Sequence, residues 1–408
     1  MFLLSILVIG YYLENNRNNG YFRFPFVTFV ILIFYHDFIF INAAYYFKIN
    51  EIVLSSSWKE IILLILTCYV ILYLHSSKIK YTYMRVIIFS IVGVLWGLFR
   101  SSGPLSESIL IGKDYIFPFL FFCSLCIIQS SSISIKKVCN IFFFIVVMPN
   151  FLFGIWELFN VKNMHDIWFY EPLLSLGHGF ASFNHFRNGI IRCNGFFVGT
   201  LSFAVTGFCS FIIFFIMRKE KYSYIKILVS FSMLLMSQSR IFFVGLLFFF
   251  ILYLFYYLSK KKIDVIHTLV FLLGSFLLVL FILPFVSSDG SALGRITQWS
   301  NALNLLITHP FGQGFSSIGI TGDNRADSYI IDLIRIYGIY SIVLLYLSVS
   351  FIVTRINSIS YVKYSEVPLL LSISFIYILF FQSLLDTPIL YFIILLIVKV
   401  KSRKDLYE

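Results

Sequence analysis

Residues 240–262 read RIFFVGLLFFFILYLFYYLSKKK: an arginine, an uncharged apolar run over 241–258, then Lys260, Lys261 and Lys262. An α-helix needs roughly 20 such residues to cross the hydrocarbon of a bilayer, and a spanning segment has to pair its own backbone groups internally. Working outward, similar runs fall at 2–13, 25–47, 58–75, 85–99, 114–130, 138–159, 195–217, 222–237, 265–286, 329–353, 367–384 and 388–400. The first is short for a full span and suits the interface. The 408 residues are 60% hydrophobic and 12% charged, with mean hydropathy +0.92. The expected fold is therefore all-α: a polytopic membrane protein, one transmembrane domain over 1–408, with about 12–13 transmembrane helices.

The net charge of +12 does not imply nucleic acid, because the basic residues sit mostly in short loops between apolar runs. With the tail Lys399, Lys401, Arg403 and Lys404 placed in the cytoplasm, alternation puts 20 Lys and Arg inside and 10 outside, with Arg335 in a span. Six of the outer ten are arginines, at 100, 187, 192, 240, 295 and 325. A planar guanidinium suits bidentate recognition of phosphate, whereas inner lysines need only meet anionic lipid and water. The six cysteines lie nearly all in apolar segments, Cys123 and Cys126 included, and indicate neither a disulfide framework nor a zinc site. Met1 to Leu13 lacks a basic start and a small-residue cleavage site, so no cleavable signal is expected.

Two outer segments exceed ordinary connector length, 160–194 and 287–328. In the second, Ile296, Trp299, Ala302, Leu303 and Leu306 recur at helical spacing among polar residues, which predicts an amphipathic helix on the outer face. It should end near His309, because Pro310 disfavours helix at the residue before it, and Gly312-Gln313-Gly314 then supplies a turn.

Arg192, in Arg192-Cys193-Asn194-Gly195, stands where the first long segment rejoins the membrane; it either snorkels to headgroups or grips a lipid-linked phosphate. Arg240 closes the tight turn Ser237-Gln238-Ser239-Arg240, where a charge so near hydrocarbon must reach water, headgroups or a partner. Together they would neutralise a pyrophosphate and stabilise the charge on a departing diphosphate, with Arg295 or Arg325 assisting. Asp327 or His309 is a candidate general base or orienter of a sugar hydroxyl; the alternatives are an N-cap for Asp327 and a helix end for His309. Asp332 and Arg335, at i and i+3, fit a structural ion pair. Glu157 and the histidines 165, 178 and 185 are weaker candidates, and their irregular spacing does not describe a metal site.

Arg192-x-x-Gly195-Phe196-Phe197, Ser237-x-Ser239-Arg240, Arg295 followed by Trp299, His309-Pro310-x-Gly312-x-Gly314-Phe315 and Asp327-Ser328-Tyr329 with Tyr337-Gly338 resemble the Wzy-type O-antigen polymerase and O-antigen ligase superfamily. The resemblance covers about 190–345, and the remainder only as hydropathy. It implies a GT-C-like membrane glycosyltransferase in the bacterial inner membrane, working on undecaprenyl-diphosphate-linked oligosaccharide at the periplasmic face. It further implies membrane lipid and a chain-length regulator protein as partners, and no cofactor. In such a polymerase a hydroxyl of the incoming repeat unit attacks the anomeric carbon of the growing chain, and undecaprenyl diphosphate leaves. Family ligases resemble one another in a His-Asn pair near the end of the large loop; here that stretch reads Ala326-Asp327-Ser328-Tyr329, which favours polymerase. The loop around Gly294–Phe315 then reads as a lid that admits the acceptor. A lipid-linked oligosaccharide flippase ranks third, since transporters show internal repeats and broken helices at the midplane. A scaffold would leave the outer arginines unexplained.

Overall fold

The computed structural model describes residues 31, 33–48, 91–109, 111–112, 135–160, 170–175, 186–187, 190–197, 199–259, 264–286, 290–318, 326–357, 364, 366–384 and 387–399. The apolar runs 2–13, 58–75 and 114–130 lie outside them, as do Arg325, Cys68, Cys123, Cys126 and the histidines at 165, 178 and 185. Among the described residues the fold is all-α apart from a short antiparallel pairing of Phe186–Arg187 with Ile190–Ile191. Ile135–Phe159, of 25 residues, and Arg240–Leu258, of 19, are long and apolar enough to cross a membrane. Thr200–Ile216, Ser223–Ser237, Val265–Phe281, Tyr340–Thr354 and Glu366–Leu379 are shorter apolar helices. This is the architecture of a polytopic membrane protein. Its contacts gather into two compact units, one of residues 1–65 with 129–246, the other of 66–128 with 247–408.

In the first unit Thr200–Ile216 and Ser223–Ser237 form a helical hairpin. Small residues allow the close approach: a Cβ on Gly207 would stand 3.1 Å from the Ser230 carbonyl, and the Ser230 hydroxyl donates to Ser210 Oγ across the interface at 2.8 Å. Lys226, near the start of the second of these helices, is buried. Its Nζ donates to Asn140 Oδ1 at 2.6 Å and lies 4.8 Å from the Phe214 ring centroid.

The long helix Ile135–Phe159 contains a π-helical turn at Phe143–Val147, immediately before Pro149. Proline has no N–H to give to the carbonyl four residues back, which is Ile145. The Tyr35 hydroxyl, from a neighbouring helix, donates to that carbonyl at 2.5 Å. A buried backbone acceptor that the sequence deprives of its helical donor thus finds one in tertiary contact.

In the second unit Val265–Val286 is followed by the helix Gly290–Thr308, which ends beside His309 and Pro310 as the sequence predicts. Trp299 and Ala302 are buried, Ile296 and Leu306 are half-buried, and Leu303 faces outward. Trp299 packs on Phe276 at 4.5 Å between centroids and donates Nε1 to the Phe380 carbonyl at 3.2 Å, so the helix is anchored. The apolar run 329–353 is two helices, Tyr329–Tyr337 and Tyr340–Asn357, parted at Gly338 with φ +58°.

That break exists because the Gly312–Gly314 turn packs into it. Gln313 and Gly314 donate N–H to the carbonyls of Arg335 and Ile336 at 2.8 and 3.1 Å, and Ile339 returns one to Pro310 at 2.8 Å. Arg100 donates through Nε and Nη2 to the Gly312 carbonyl at 3.3 and 3.2 Å, and Trp96 donates to Phe311 at 3.0 Å. Phe315 is buried against Gly97, where an added Cβ would meet its ring at 2.6 Å. The turn is a fastened junction, and Arg100 serves as its brace.

Glycine is obligatory at the centre of this junction: a Cβ on Gly338 would stand 2.1 Å from the Pro310 carbonyl oxygen, at a φ that side chains rarely adopt. Gly338→Ala is expected to cost more than about 2 kcal/mol. Gly274→Ala, with nothing within 4 Å, should be neutral or stabilise by up to about 1 kcal/mol. Thermal unfolding of the purified protein in detergent distinguishes the two.

Candidate functional site

The segment after Arg192 is held by one face of the helix Ile135–Phe159. Asn150 and Glu157 are seven residues apart, two turns, so they share a face with Gly154 between them. The Glu157 carboxylate, fully buried, accepts the N–H of Asn194 at 3.1 Å and of Gly195 at 2.9 Å. Asn150 Oδ1 accepts the N–H of Phe196 at 2.9 Å, while its Nδ2 donates to the Val146 carbonyl at 2.9 Å. The Cys193 thiol donates to the Gly154 carbonyl at 3.3 Å. Burial, and secondarily the Glu157 carboxylate, push that thiol well up, so it remains a neutral donor. A buried carboxyl group is tolerated here because the hydrogen bonds it accepts from the backbone offset its desolvation.

On its other side the same segment meets the Ser237–Arg240 turn. Cys193 N donates to the Met236 carbonyl at 3.1 Å, Arg192 Nε to the Ser237 carbonyl at 3.2 Å, and Gln238 Nε2 to the Ile191 carbonyl at 3.1 Å. Gln238 takes a left-handed conformation with φ +50°, which ends one helix so that the next begins at Arg240. Two motifs more than forty residues apart thereby share one corner, |i−j| being 45 for the Arg192–Ser237 bond. Arg192 is half-buried and Arg240 exposed. Arg240 heads a helix, where its charge adds to the positive end of the helix dipole instead of offsetting it, and the corner favours an anion.

The second unit holds a separate polar cluster. Arg295 Nε and Asp327 Oδ2 are 3.9 Å apart, with side chains 23% and 54% exposed. Gln298 Oε1, one turn along from Arg295, accepts the Asp327 N–H at 3.3 Å. Asp332, 1% exposed, accepts the Ala326 N–H at 3.0 Å through Oδ1. The N-cap of the helix Tyr329–Tyr337 is Ser328, which accepts from Ile331 N and donates to the Leu379 carbonyl at 3.2 Å. Asp327 is therefore not the cap; its carboxylate faces outward beside a guanidinium, open to a hydroxyl.

His309 stands apart from that pair. It is exposed, its Nδ1 lies 3.0 Å from Thr308 Oγ1, and it follows the same helix that carries Arg295 near its start. At 1.5 Å per residue that separation is about 20 Å along the axis. Arg325 lies outside the described residues. Reasoning from sequence passed over Asn150 and Gln298. The available signal for the first was a pair of polar residues at seven-residue spacing in an otherwise apolar span; for the second it was an i, i+3 polar partner of Arg295.

A family model described as O-antigen ligase matches residues 225–340. The matched stretch includes the Ser237–Arg240 turn, Arg295, His309 and Asp327, while Arg192, Asn150 and Glu157 precede it. Its similarity supports a ligase- or polymerase-type function in surface polysaccharide assembly. No curated protein and no solved structure matches the chain.

The two aspartates of the second cluster should separate by variant. Asp332→Ala strands the buried Ala326 N–H and is expected to cost about 1–3 kcal/mol. Asp327→Ala removes one side of an exposed pair and should cost less than about 1 kcal/mol while impairing function. Unfolding midpoints in detergent, measured alongside activity, check both.

Proposed function

We propose that this chain is a membrane glycosyltransferase that polymerises undecaprenyl-diphosphate-linked oligosaccharide repeat units at the periplasmic face. The observation that carries the reading is the Arg192–Ser237 hydrogen bond, which joins the Arg192 segment to the turn ending in Arg240 and builds a cationic corner. The leaving group is a diphosphate. As its bond to the anomeric carbon breaks, the electron pair passes to the diphosphate oxygen, and fixed guanidinium groups stabilise that growing charge more than they stabilise the intact donor.

The acceptor hydroxyl forms the new bond to the anomeric carbon and loses its proton. Asp327 takes the role of base or orienter in this reading, because its carboxylate is exposed and its backbone is held by Gln298 and Asp332 through neighbouring amides. Arg295, 3.9 Å from that carboxylate, is the cation beside it. His309 is the alternative acceptor-side residue, at the far end of the same helix.

The description of the matching family favours a second reading, transfer of finished polymer to the lipid A core. Against it stands Ala326-Asp327-Ser328-Tyr329, where family ligases resemble one another in His-Asn. Phenotype separates the two. Loss of a polymerase leaves core plus one repeat unit; loss of a ligase leaves bare core and accumulated lipid-linked polymer.

Arg192→Ala or Arg240→Ala, at normal abundance in a host displaying long-chain polysaccharide, should lower polymer formation by about 100-fold or more. The surface polysaccharide ladder on a gel reads this directly, and a normal chain-length distribution would remove both residues from the mechanism.

A further inference from the structure

We infer that Glu157 is a positioning residue for Arg192: its buried carboxylate fixes the backbone that aims the guanidinium at the lipid-linked diphosphate. This rests on the reading of Arg192 as a diphosphate ligand. Successive backbone N–H groups beside a glycine of positive φ form a concavity that elsewhere holds anions. Here the N–H groups of Asn194 and Gly195, with Gly195 at φ +62°, are turned onto Glu157. The concavity is filled from within the protein, and the ligand's phosphates are left to side chains.

The restraint on Arg192 comes from both directions. Below it, Glu157 and Asn150 take three consecutive amides, those of residues 194, 195 and 196. A side chain at Gly195 is impossible without displacement, since its Cβ would stand 2.5 Å from Asn150 Oδ1. Beside it, the Ser237 carbonyl accepts from Arg192 Nε and orients the plane of the guanidinium. Asn150 shows that a neutral amide suffices to accept one N–H; Glu157 accepts two adjacent ones through Oε2 while Oε1 also lies 3.4 Å from Asn194 N, so a glutamine whose oxygen took the place of Oε2 would turn its NH2 toward the Asn194 donor. A carboxyl group with an acceptor on both sides of that fork, rather than an amide with one, keeps the segment in register.

The test is a double-mutant cycle on the full-length protein in proteoliposomes, with undecaprenyl-diphosphate-linked repeat units as substrate. Glu157→Gln should accumulate and unfold near the parent temperature, yet lose about 10- to 100-fold in kcat with little change in KM for the donor. Combined with Arg192→Ala it should add no further loss, since it acts through the group already removed. Glu157→Asp, which keeps the charge and shortens the reach, should recover part of kcat, and it carries the same cycle if Glu157→Gln does not accumulate. Multiplicative losses in the double variant, or a Glu157→Gln enzyme equal to the parent while Arg192→Ala is inactive, would overturn the inference and leave the proposed function standing. An Arg192→Ala enzyme with parental kcat would overturn the inference together with the reading of Arg192 as a diphosphate ligand.

Discussion

At bilayer depth a backbone amide or carbonyl has no water to fall back on, and every departure from regular helix has to be repaired by another part of the protein. Pro149 withholds a donor from Ile145, and the hydroxyl of Tyr35 replaces it. The 193–197 turn leaves three consecutive amides outside any helix, and Glu157 and Asn150 accept them. The chain breaks at Gly338, and the Gly312–Gly314 turn supplies donors and acceptors to the open helix end. Each repair draws residues from distant sequence positions, and the polar structure of this protein grows at those repairs.

The same constraint sorts charges into two kinds. Glu157 and Asp332 are buried and accept backbone N–H groups, which holds segments in place. Arg192, Arg240 and Asp327 reach solvent to differing degrees and are held by those segments rather than holding them. A site that stabilises developing charge needs such a division, because a guanidinium free to reorient would lose in transit the advantage that a preorganised one keeps. Arg100 shows that an arginine between apolar runs can be structural: its guanidinium braces the Gly312 carbonyl.

Much of the fold was legible because the bilayer imposes a one-dimensional rule. Apolar run length located helices such as Arg240–Leu258, and the proline after His309 marked where the helix Gly290–Thr308 stops. The same rule misread 329–353 as one run, since hydropathy does not register a glycine whose positive φ parts two helices. The Gly294–Phe315 loop read as a lid from its sequence; its Gly312–Gly314 turn is fastened by backbone hydrogen bonds to Arg335 and Ile336, which sequence does not display. Periodicity left Ala302 and Leu303 as alternatives for one apolar position; the helix turns Ala302 inward and Leu303 outward.

Sequence by itself determined that this is an all-α membrane protein with its arginines concentrated in segments between spans, because hydrocarbon selects composition residue by residue. It also supplied the candidate residues, since guanidinium and carboxylate groups carry their chemistry wherever the chain puts them. Only the tertiary structure decided which of them act together. Arg192 meets the Ser237–Arg240 turn and Arg295 meets Asp327, while His309 is carried about 20 Å along its helix from that pair. Hydrogen bonds reach about 3 Å and take no account of sequence separation, so neighbours of this kind are set by packing and cannot be read from spacing.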